Sequence, residues 1–403
     1  MWARISLTGV HLDRDPRSLR AQVGSLFVER FRLKNTSRTS KLWVEARDDS
    51  NMPGYRVTTL TIGLGIRGRS DTNGHRASTV TVDLGPGHLR SWDVRTICTR
   101  RGRYRLGPMI LQSSDPFGLF PTTKEVPYRQ NLVVLPLTVP IRSFPIPSGR
   151  LPGGDALRQR THQVTPNAAS VRDYAPGDSL NRIHWPSTAK RRRLIVKEFE
   201  FDPLGDVWIL LDASHKVQYT LPVDEGEEEQ DVWMEGRYTL PPSTEEYAVA
   251  VAASLSLHFL ELDRAVGLVA YGQARHVIQP HRGESQLYRI LESLAVINAV
   301  GRLSIGDIIK VESPRIPRGS TVIVITPAVG SEVLMALREF EYSARQPVLI
   351  LLEADSFGGP SGSQALSAAA RREGVSIRNL RCGDDLEAAL SAPSRVHKFP
   401  IVV

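Results

Sequence analysis

The segment DVWILLD, residues 206–212, decides how the second part of this chain folds. Five consecutive apolar residues between two aspartates are typical of a strand that is buried on both faces of a parallel sheet. Similar apolar segments follow it and alternate with segments whose apolar residues have helical spacing. The predicted strands are 265–272, 320–326, 347–353 and 375–380, and the predicted helices are 243–263, 285–297, 331–344 and 362–374. We therefore predict an α/β domain over residues 204–403, with a mainly parallel sheet covered by helices on both faces.

The first part of the chain has a period-two pattern instead. Segments 25–35, 41–47 and 78–84 alternate apolar and polar residues, and turn-forming residues separate them. This pattern predicts an antiparallel β-sandwich over residues 1–140. The following residues are rich in Pro, Gly, Ser and Arg, and we interpret residues 141–203 as an extended connector with little core of its own. The expected fold class is therefore β plus α/β.

An acidic insertion, DEGEEEQD at residues 224–231, follows the first predicted strand of the α/β domain. The next helix begins with Ser243 and Glu246, which have the spacing of a capping box. We expect the insertion either to shield the end of the first strand or to engage a basic partner.

Charge is unevenly distributed along the chain. The 403 residues carry a formal net charge of +8, but residues 1–200 hold 33 Lys and Arg against 16 Asp and Glu, whereas the remainder hold 18 against 27. The two cysteines lie far apart in sequence, which suits a reducing compartment. The sequence contains no apolar run of about 18 residues, so we expect a soluble cytoplasmic protein. Contact with the inner face of the membrane is the alternative.

A second informative stretch, DYAPGDSLNRIHWPSTAKRRRLIVKEFE at residues 173–200, combines uncommon residues at nearly fixed spacing. It resembles the signature of the bacterial domain-of-unknown-function family 58, and the upstream DPFGL at residues 115–119 is similar to that family too. We expect the signature to dock the connector onto the α/β domain, and a partner-binding surface is the alternative. Its matching residues are Arg172, Tyr174, Gly177, Asp178, Arg182, Trp185, Ala189 and Lys190.

This resemblance carries expectations about architecture and partners. It implies a β-rich region followed by a von Willebrand factor A-like domain, which is Rossmann-like in its chain path. It also implies association with AAA+ ATPases of the MoxR type, for which A-type domain proteins act as adaptors in the maturation or assembly of other proteins. The family usually begins with two transmembrane helices, so we expect either a soluble variant or an upstream segment outside this sequence.

Ligands bind beyond the carboxyl ends of the strands in open parallel sheets. We place three loops there: LLDASHK (210–216), HRGES (281–285) and ITPAVG (325–330). The first loop resembles the start of a von Willebrand factor A domain, where Asp-x-Ser-x-Ser helps to hold a divalent cation. Asp212 and Ser214 match that motif, and Lys216 replaces its second Ser.

The substitution by Lys216 changes the expected chemistry of the site. An ammonium near Asp212 could take the place of a cation, so we predict a degenerate metal-ion-dependent adhesion site. Asp212 and Ser214 are then weak Mg²⁺ ligands at most, and no tightly bound cofactor is expected. Alternatively, these two residues only organise the loop and cap a helix. The predicted partner-binding residues are Asp212, Ser214, Lys216, Glu284, Ser285 and Thr326.

We therefore predict a non-catalytic scaffold or adaptor that binds a protein partner. No phosphate-binding loop, nucleophile elbow, His-Glu-x-x-His or Cys-x-x-Cys motif is present. The alternative function is binding of nucleic acid or an anionic membrane surface through the basic N-terminal half. The basic run at residues 190–193 favours phosphate contacts, but few aromatic residues are interleaved to stack bases.

Overall fold

The two parts of the chain have the fold classes that their sequence patterns predict. The computed structural model describes residues 6–52, 56–57, 68–69, 78–115, 119–144, 168–173, 185–191, 193–199, 205–222, 238–342 and 345–391. The N-terminal region is β-rich, with mainly antiparallel sheets, and the C-terminal region combines a mainly parallel sheet with helices. The prediction of β plus α/β is confirmed at that level.

The described strands of the N-terminal region form three sheets. In chain order they are β1 (Val10–Pro16), β2 (Arg20–Gln22), β3 (Leu26–Asn35), β4 (Lys41–Asp48), β5 (Arg56–Val57), β6 (Gly68–Arg69), β7 (Ser78–Leu84), β8 (Leu89–Ile97), β9 (Gly102–Leu106), β10 (Met109–Ser113), β11 (Thr122–Val126) and β12 (Gln130–Leu135). The sheet orders are β1-β3-β8-β5, β11-β10-β4-β7-β6 and β2-β12-β9. The pair β2–β12 is parallel, which departs from the purely antiparallel prediction.

The first two sheets share one hydrophobic core. Phe31 and Leu33 of β3 pack with Val44 of β4 and Leu111 of β10 in a single buried cluster. The period-two alternation places these residues inward and leaves the intervening polar residues facing outward. Phe31 also stacks on Trp92, with ring centroids 5.6 Å apart.

A buried arginine, Arg14, connects three strands of this region. The Arg14 guanidinium donates to Glu29 at 2.5 Å and to Asp48 at 2.9 Å, and it also donates to the Ser50 hydroxyl at 3.0 Å. The side chains of Arg14 and Glu29 have no exposed area. Since a buried charge is tolerated only when it is paired and hydrogen-bonded, this cluster fixes how β1, β3 and β4 sit together.

The connector contains a small unit of two strands and a helix. Strand β13 (Ala168–Asp173) pairs antiparallel with β14 (Ile195–Phe199), and helix α1 (Trp185–Arg191) lies between them in sequence. Ile195 is buried, and its amide donates to the Thr188 hydroxyl at 3.0 Å.

The C-terminal sheet has six strands among the described residues. They are β15 (Val207–Leu211), β16 (Val266–Tyr271), β17 (Arg275–His281), β18 (Thr321–Thr326), β19 (Gln346–Leu352) and β20 (Ser376–Leu380). The helices are α2 (Thr244–Glu261), α3 (Glu284–Val296), α4 (Ile305–Glu312), α5 (Ser331–Tyr342), α6 (Ser363–Arg372) and α7 (Leu386–Ser391). The order across the sheet is β17-β16-β15-β18-β19-β20, so the chain reverses direction between β15 and β18.

Both faces of this sheet are buried, as its apolar strands require. Ile209 and Ile323 face a core that includes α2, α3 and α7. Trp208 and Val324 face the opposite core, which includes α4, α5 and α6. In a continuous apolar strand such as VWILL, successive side chains therefore point alternately into the two cores.

Strand β17 was missing from our prediction, and it is antiparallel to β16. Only residues 272–274 separate the two strands, which is too short a connection for a parallel crossover. Pro280 lies in β17, and proline is tolerated there because the strand is at the edge of the sheet. Both features were available in the sequence.

The predicted capping box at the start of α2 is not formed. The Ser243 side chain makes no capping hydrogen bond. Glu246 instead forms an ion pair at 3.2 Å with Arg101 of the N-terminal region. A local sequence signal is overridden here by a contact between the two parts of the chain.

The first residues of the predicted connector belong to the core of the α/β region. Ile141 and Phe144 are buried in the same cluster as α2, and Phe144 meets Phe259 edge-on at 5.8 Å. The Val139 amide donates to the Ser254 hydroxyl at 3.0 Å. The expectation that this segment has little core is wrong up to Phe144, because its apolar side chains cover the face that α2 leaves open.

Among the described residues, no helix is both long enough and apolar enough to span a membrane.

We expect Arg14→Met to lower the free energy of unfolding by about 3–5 kcal/mol, because it leaves the Glu29 carboxylate buried without its cation. Chemical denaturation measures this change. The matched control is Arg30→Met on β3, since the Arg30–Asp93 pair is exposed and exposed ion pairs contribute little to stability. Equal effects of the two substitutions would contradict the central role of Arg14.

Candidate functional site

The candidate site lies where the chain path reverses, at the carboxyl ends of β15 and β18. Asp212 directly follows β15, and Thr326 is the last residue of β18. The two strands are hydrogen-bonded neighbours. The crevice at such a switch point is where open α/β sheets bind ligands. The sequence prediction that Asp212, Ser214 and Thr326 lie together is confirmed.

Asp212 is buried and fully engaged by its neighbours. It is 2% exposed, its Oδ2 accepts from the Thr326 hydroxyl at 2.6 Å, and its Oδ1 accepts from the Ser214 amide at 3.0 Å. Burial raises the pKa of the Asp212 carboxyl to about 6, although these two hydrogen bonds act in the opposite direction. The carboxylate therefore organises its own loop and joins it to β18.

A second loop completes the site and was not predicted. The amide of Gly301 donates to the Ala213 carbonyl at 2.8 Å, and the amide of His215 donates to the Gly301 carbonyl at 3.0 Å. A Cβ at residue 301 would lie 1.9 Å from the carbonyl oxygen of Tyr271, so only glycine permits this close approach. A glycine after a predicted helix is a weak signal, and nothing in the sequence indicates its partner.

Two polar residues behind the loop were also missed. The Gln218 side-chain amide donates to the Asp212 carbonyl at 2.9 Å, and its oxygen accepts from the buried Thr244 hydroxyl at 2.7 Å. The Thr244 hydroxyl also accepts from the Tyr219 amide at 2.9 Å. The loop after β15 is thereby tied to the first residue of α2.

The outer surface of the site combines basic and apolar side chains. His215 and Lys216 are exposed on a short 3-10 turn, His215–Val217. Val300 and Leu303 are exposed on the neighbouring loop. The partners of the Asp212 carboxylate among the described residues are Thr326 and Ser214, so the Lys216 ammonium does not occupy the position beside it that we expected. The Lys216 side chain is instead exposed.

Glu284 and Ser285 do not belong to this site. Because β17 is antiparallel, its last residue His281 pairs with Val266, the first residue of β16. The loop of residues 281–285 therefore lies at the amino ends of the parallel strands, whereas Asp212 lies at their carboxyl ends. The prediction that Glu284 and Ser285 surround Asp212 is wrong, and the loop of residues 298–303 takes their place.

The donor groups here suit a tightly held metal poorly. Mg²⁺ requires six oxygens in near-octahedral geometry. Asp212 offers the nearest carboxylate, and both of its oxygens already accept hydrogen bonds. Within the described residues, no group of three or more His, Cys, Asp or Glu side chains could hold a metal ion. The Ser214 hydroxyl does not cap the following 3-10 turn.

The signature residues lie in the connector, and the structure describes part of them. Trp185 is 65% exposed, so it does not anchor the connector in a core. Ala189 and Lys190 are exposed on the same helix, α1. For Arg172 only the backbone is described, paired with Val196. Four signature residues lie outside the described residues: Tyr174, Gly177, Asp178 and Arg182.

A β-rich region joined to an α/β region whose chain path reverses between β15 and β18 defines the class of this protein. A model of the family described as protein of unknown function DUF58 matches residues 170–375, and the chain belongs to that family. Over 197 residues it is 23% identical to the uncharacterized protein YeaD of Bacillus subtilis (strain 168). That alignment covers 49% of this chain and 43% of the relative, so the chain spans less than half of the relative's length.

Solved structures with similarity to part of this chain are distant. An uncharacterized protein from Nocardia farcinica with an immunoglobulin-like fold is 14% identical, with a TM-score of 0.22, and the match covers 31% of this chain and 97% of that one. The ASH/PapD-like domain 7 of human CEP192 is 12% identical, with a TM-score of 0.19, covering 32% of this chain and 86% of that one. Similarities this low carry no argument about function.

We expect Asp212→Asn to remove a fall in stability that the parent protein shows between about pH 4 and pH 6. The folded carboxyl has a pKa of about 6 and the ordinary value is 3.8, so the native state binds more protons than the unfolded chain between these values. The free energy of unfolding of the parent protein therefore falls as pH rises through this window. The variant has no carboxyl to titrate at this position, so its stability profile lacks this fall.

Denaturation curves between pH 3.5 and 7.5 test this expectation. The control is Asp355→Asn, since Asp355 is exposed on the loop after β19. Parallel stability profiles for the parent and Asp212→Asn would contradict the raised pKa.

Proposed function

We propose that this protein is a non-catalytic adaptor or scaffold and that the loop after β15 is its contact site for a protein partner. The observation that supports this proposal most is the buried Asp212, which Thr326 holds across the switch point. Lys216 is exposed four residues later in the same loop. The carboxylate rigidifies the loop, and the exposed groups around it are left for recognition. A rigid loop loses little conformational entropy when a partner binds.

We further propose that the α/β domain is von Willebrand factor A-like. Its strand order, counted within the domain, is 3-2-1-4-5-6, and its edge strand is antiparallel. Asp212 and Ser214 stand where that fold has an Asp-x-Ser-x-Ser motif, and Lys216 replaces the last hydroxyl. The site is then a degenerate adhesion site in which recognition no longer depends on a tightly bound cation.

The partner that we propose is an AAA+ ATPase of the MoxR type, with which the protein would act in the cytoplasm on the maturation or assembly of other proteins. This follows from the family resemblance together with the exposed surface at the switch point. Val300 and Leu303 add apolar area next to Lys216, as the contact surfaces of protein partners often do.

Binding of nucleic acid or anionic lipid through the N-terminal region ranks second. A groove on the outer face of β1, β3 and β8 is lined by Arg17, Arg30 and Arg95. Asp15 and Asp93 lie in the same groove, and Arg30 is paired with Asp93 at 2.8 Å. This partial neutralisation weakens its attraction for phosphates.

We expect the tagged protein to capture an AAA+ ATPase from its host in the presence of ATP and Mg²⁺, identified by mass spectrometry. Asp212→Ala and Lys216→Glu should abolish this capture, because they disturb the loop and reverse its exposed charge. The matched control is Lys310→Glu, an exposed lysine near the end of α4 and away from the switch point.

The outcomes of this capture separate the candidate functions. Recovery with every variant would keep the adaptor function and move the contact elsewhere. Recovery of nucleic acid or lipid alone would favour the second candidate and refute the first.

We expect Lys216→Ser to raise the affinity for Mg²⁺, because it restores a hydroxyl ligand and removes a positive charge. Titration calorimetry with MgCl₂ measures the change. Lys216→Ala serves as the control, since it removes the charge without adding a ligand. Equal binding by the two variants would show that residue 216 does not contribute a ligand, and unchanged binding by both would refute the degenerate-site assignment.

A further inference from the structure

One residue of the N-terminal region contacts both segments that support the candidate site. Arg101 lies in the turn between β8 and β9, and its side chain is 4% exposed. Its Nη2 donates to Glu245 at 2.7 Å and to the Ile297 carbonyl at 3.0 Å, and it lies 3.2 Å from Glu246. The planar guanidinium can serve several acceptors at once, which a lysine ammonium on a flexible stem does less well.

The first supporting segment runs from Arg101 to Asp212 through the start of α2. Glu245 and Glu246 are the residues after Thr244, whose hydroxyl bonds Gln218 at 2.7 Å. Gln218 in turn donates to the Asp212 carbonyl at 2.9 Å. A displacement of the first turn of α2 therefore reaches the loop after β15 through two successive hydrogen bonds.

The second supporting segment runs from Arg101 to the Gly301 loop. Ile297 is the residue directly after α3, and its amide donates to the Ser293 carbonyl in the last turn of that helix. A cation is favoured at the carboxyl end of a helix, so the guanidinium holds this point by charge as well as by hydrogen bonds. Four residues later, Gly301 makes the backbone bonds to Ala213 and His215.

Two tyrosines hold the turn that carries Arg101. The Tyr104 hydroxyl donates to the Arg100 carbonyl at 3.0 Å, and the Tyr238 hydroxyl donates to the Thr99 carbonyl at 2.8 Å. Burial raises the pKa of Tyr104 to about 12, so its hydroxyl remains a donor at neutral pH. Gly24, with φ +81°, lets Tyr238 approach, because a Cβ at residue 24 would lie 2.8 Å from the Cβ of Tyr238.

We propose that Arg101 is a positioning residue of the partner site, so that the site is composite and takes its shape only when the N-terminal region is docked. The docking of the two regions and the shape of the loop after β15 are then coupled. By linkage, a partner that binds the loop also tightens the docking. This inference rests on the proposed function only in treating the loop as a contact site.

A second contact between the two regions provides a matched control. Arg20 donates to Glu292 at 2.8 Å and lies over the Tyr288 ring at 5.0 Å. Both partners lie within α3, away from Gly301 and Thr244. The Arg20 side chain is 55% exposed, so its loss removes a peripheral contact without undocking the regions or touching either supporting segment.

The test is amide hydrogen exchange read by mass spectrometry on the full chain without a partner. The informative amides are those of His215, Tyr219 and Gly301, whose hydrogen bonds define the site. We expect Arg101→Ala to speed their exchange roughly tenfold or more, the usual result of removing a buried charged partner. Arg101→Lys should give an intermediate rate, and Arg20→Ala should leave the parent rate.

A second variant keeps the test decisive if Arg101→Ala unfolds the protein, which faster exchange in the core strand β18 would reveal. The double variant Glu245→Ala/Glu246→Ala removes only the contacts between Arg101 and the first supporting segment. It should speed exchange at His215 and Tyr219 more than at Gly301. The proposal would be overturned if Arg101→Ala and the double glutamate variant both exchanged at the parent rate. Equal effects of Arg20→Ala and Arg101→Ala would also overturn it.

The proposal and the proposed function fail in distinguishable ways. Exchange is measured without any partner, so a coupled loop in a protein that captures no ATPase would refute the function alone. Conversely, capture by the parent protein that is unaffected by Arg101→Ala would leave the adaptor function and refute the composite site.

Discussion

Burial of both faces of the six-stranded sheet is the constraint on which the rest of the structure depends. Helices α2, α3 and α7 cover one face together with residues 135–144, and α4, α5 and α6 cover the other. In open α/β sheets covered in this way, ligands bind at the carboxyl ends of the strands. Here the carboxyl ends of β15 and β18 meet where the chain path reverses.

The same constraint explains the electrostatics of the site. Asp212 directly follows a strand with no exposed residue, so its carboxylate is buried and its pKa rises to about 6. Hydrogen bonds from Thr326 and Ser214 offset part of this cost. The protein thus retains a carboxylate whose ionised form is disfavoured by burial. At this position the carboxylate holds the loop after β15 against β18.

Docking of the N-terminal region has consequences beyond the interface itself. The sequence predicts that Glu246 takes part in a capping box, yet it pairs with Arg101. Phe144 and Ile141 fill the α/β core although the sequence around them is typical of a connector. The two regions consequently share hydrogen bonds and core. In our proposal, the partner site takes its shape from both.

The sequence by itself determined the local elements and the central residues of the site. Apolar runs and helical spacing located strands such as β15 and β18, and the end of a buried strand identified Asp212 and Thr326. These features depend on residues close together in sequence, where periodicity and burial act directly. The direction of β17 was also encoded, in its short connection and in Pro280, although our prediction missed it.

Only the tertiary structure decided which distant residues complete the site. Gly301, Gln218, Thr244 and Arg101 act through backbone approach and hydrogen bonds that no periodicity records. Because β17 is antiparallel, Glu284 and Ser285 lie at the amino ends of the parallel strands, away from Asp212. The direction of a strand decides at which end of the sheet the following loop lies. Contacts between regions more than 100 residues apart depend on how the two regions dock, and docking is fixed by shape and charge in three dimensions.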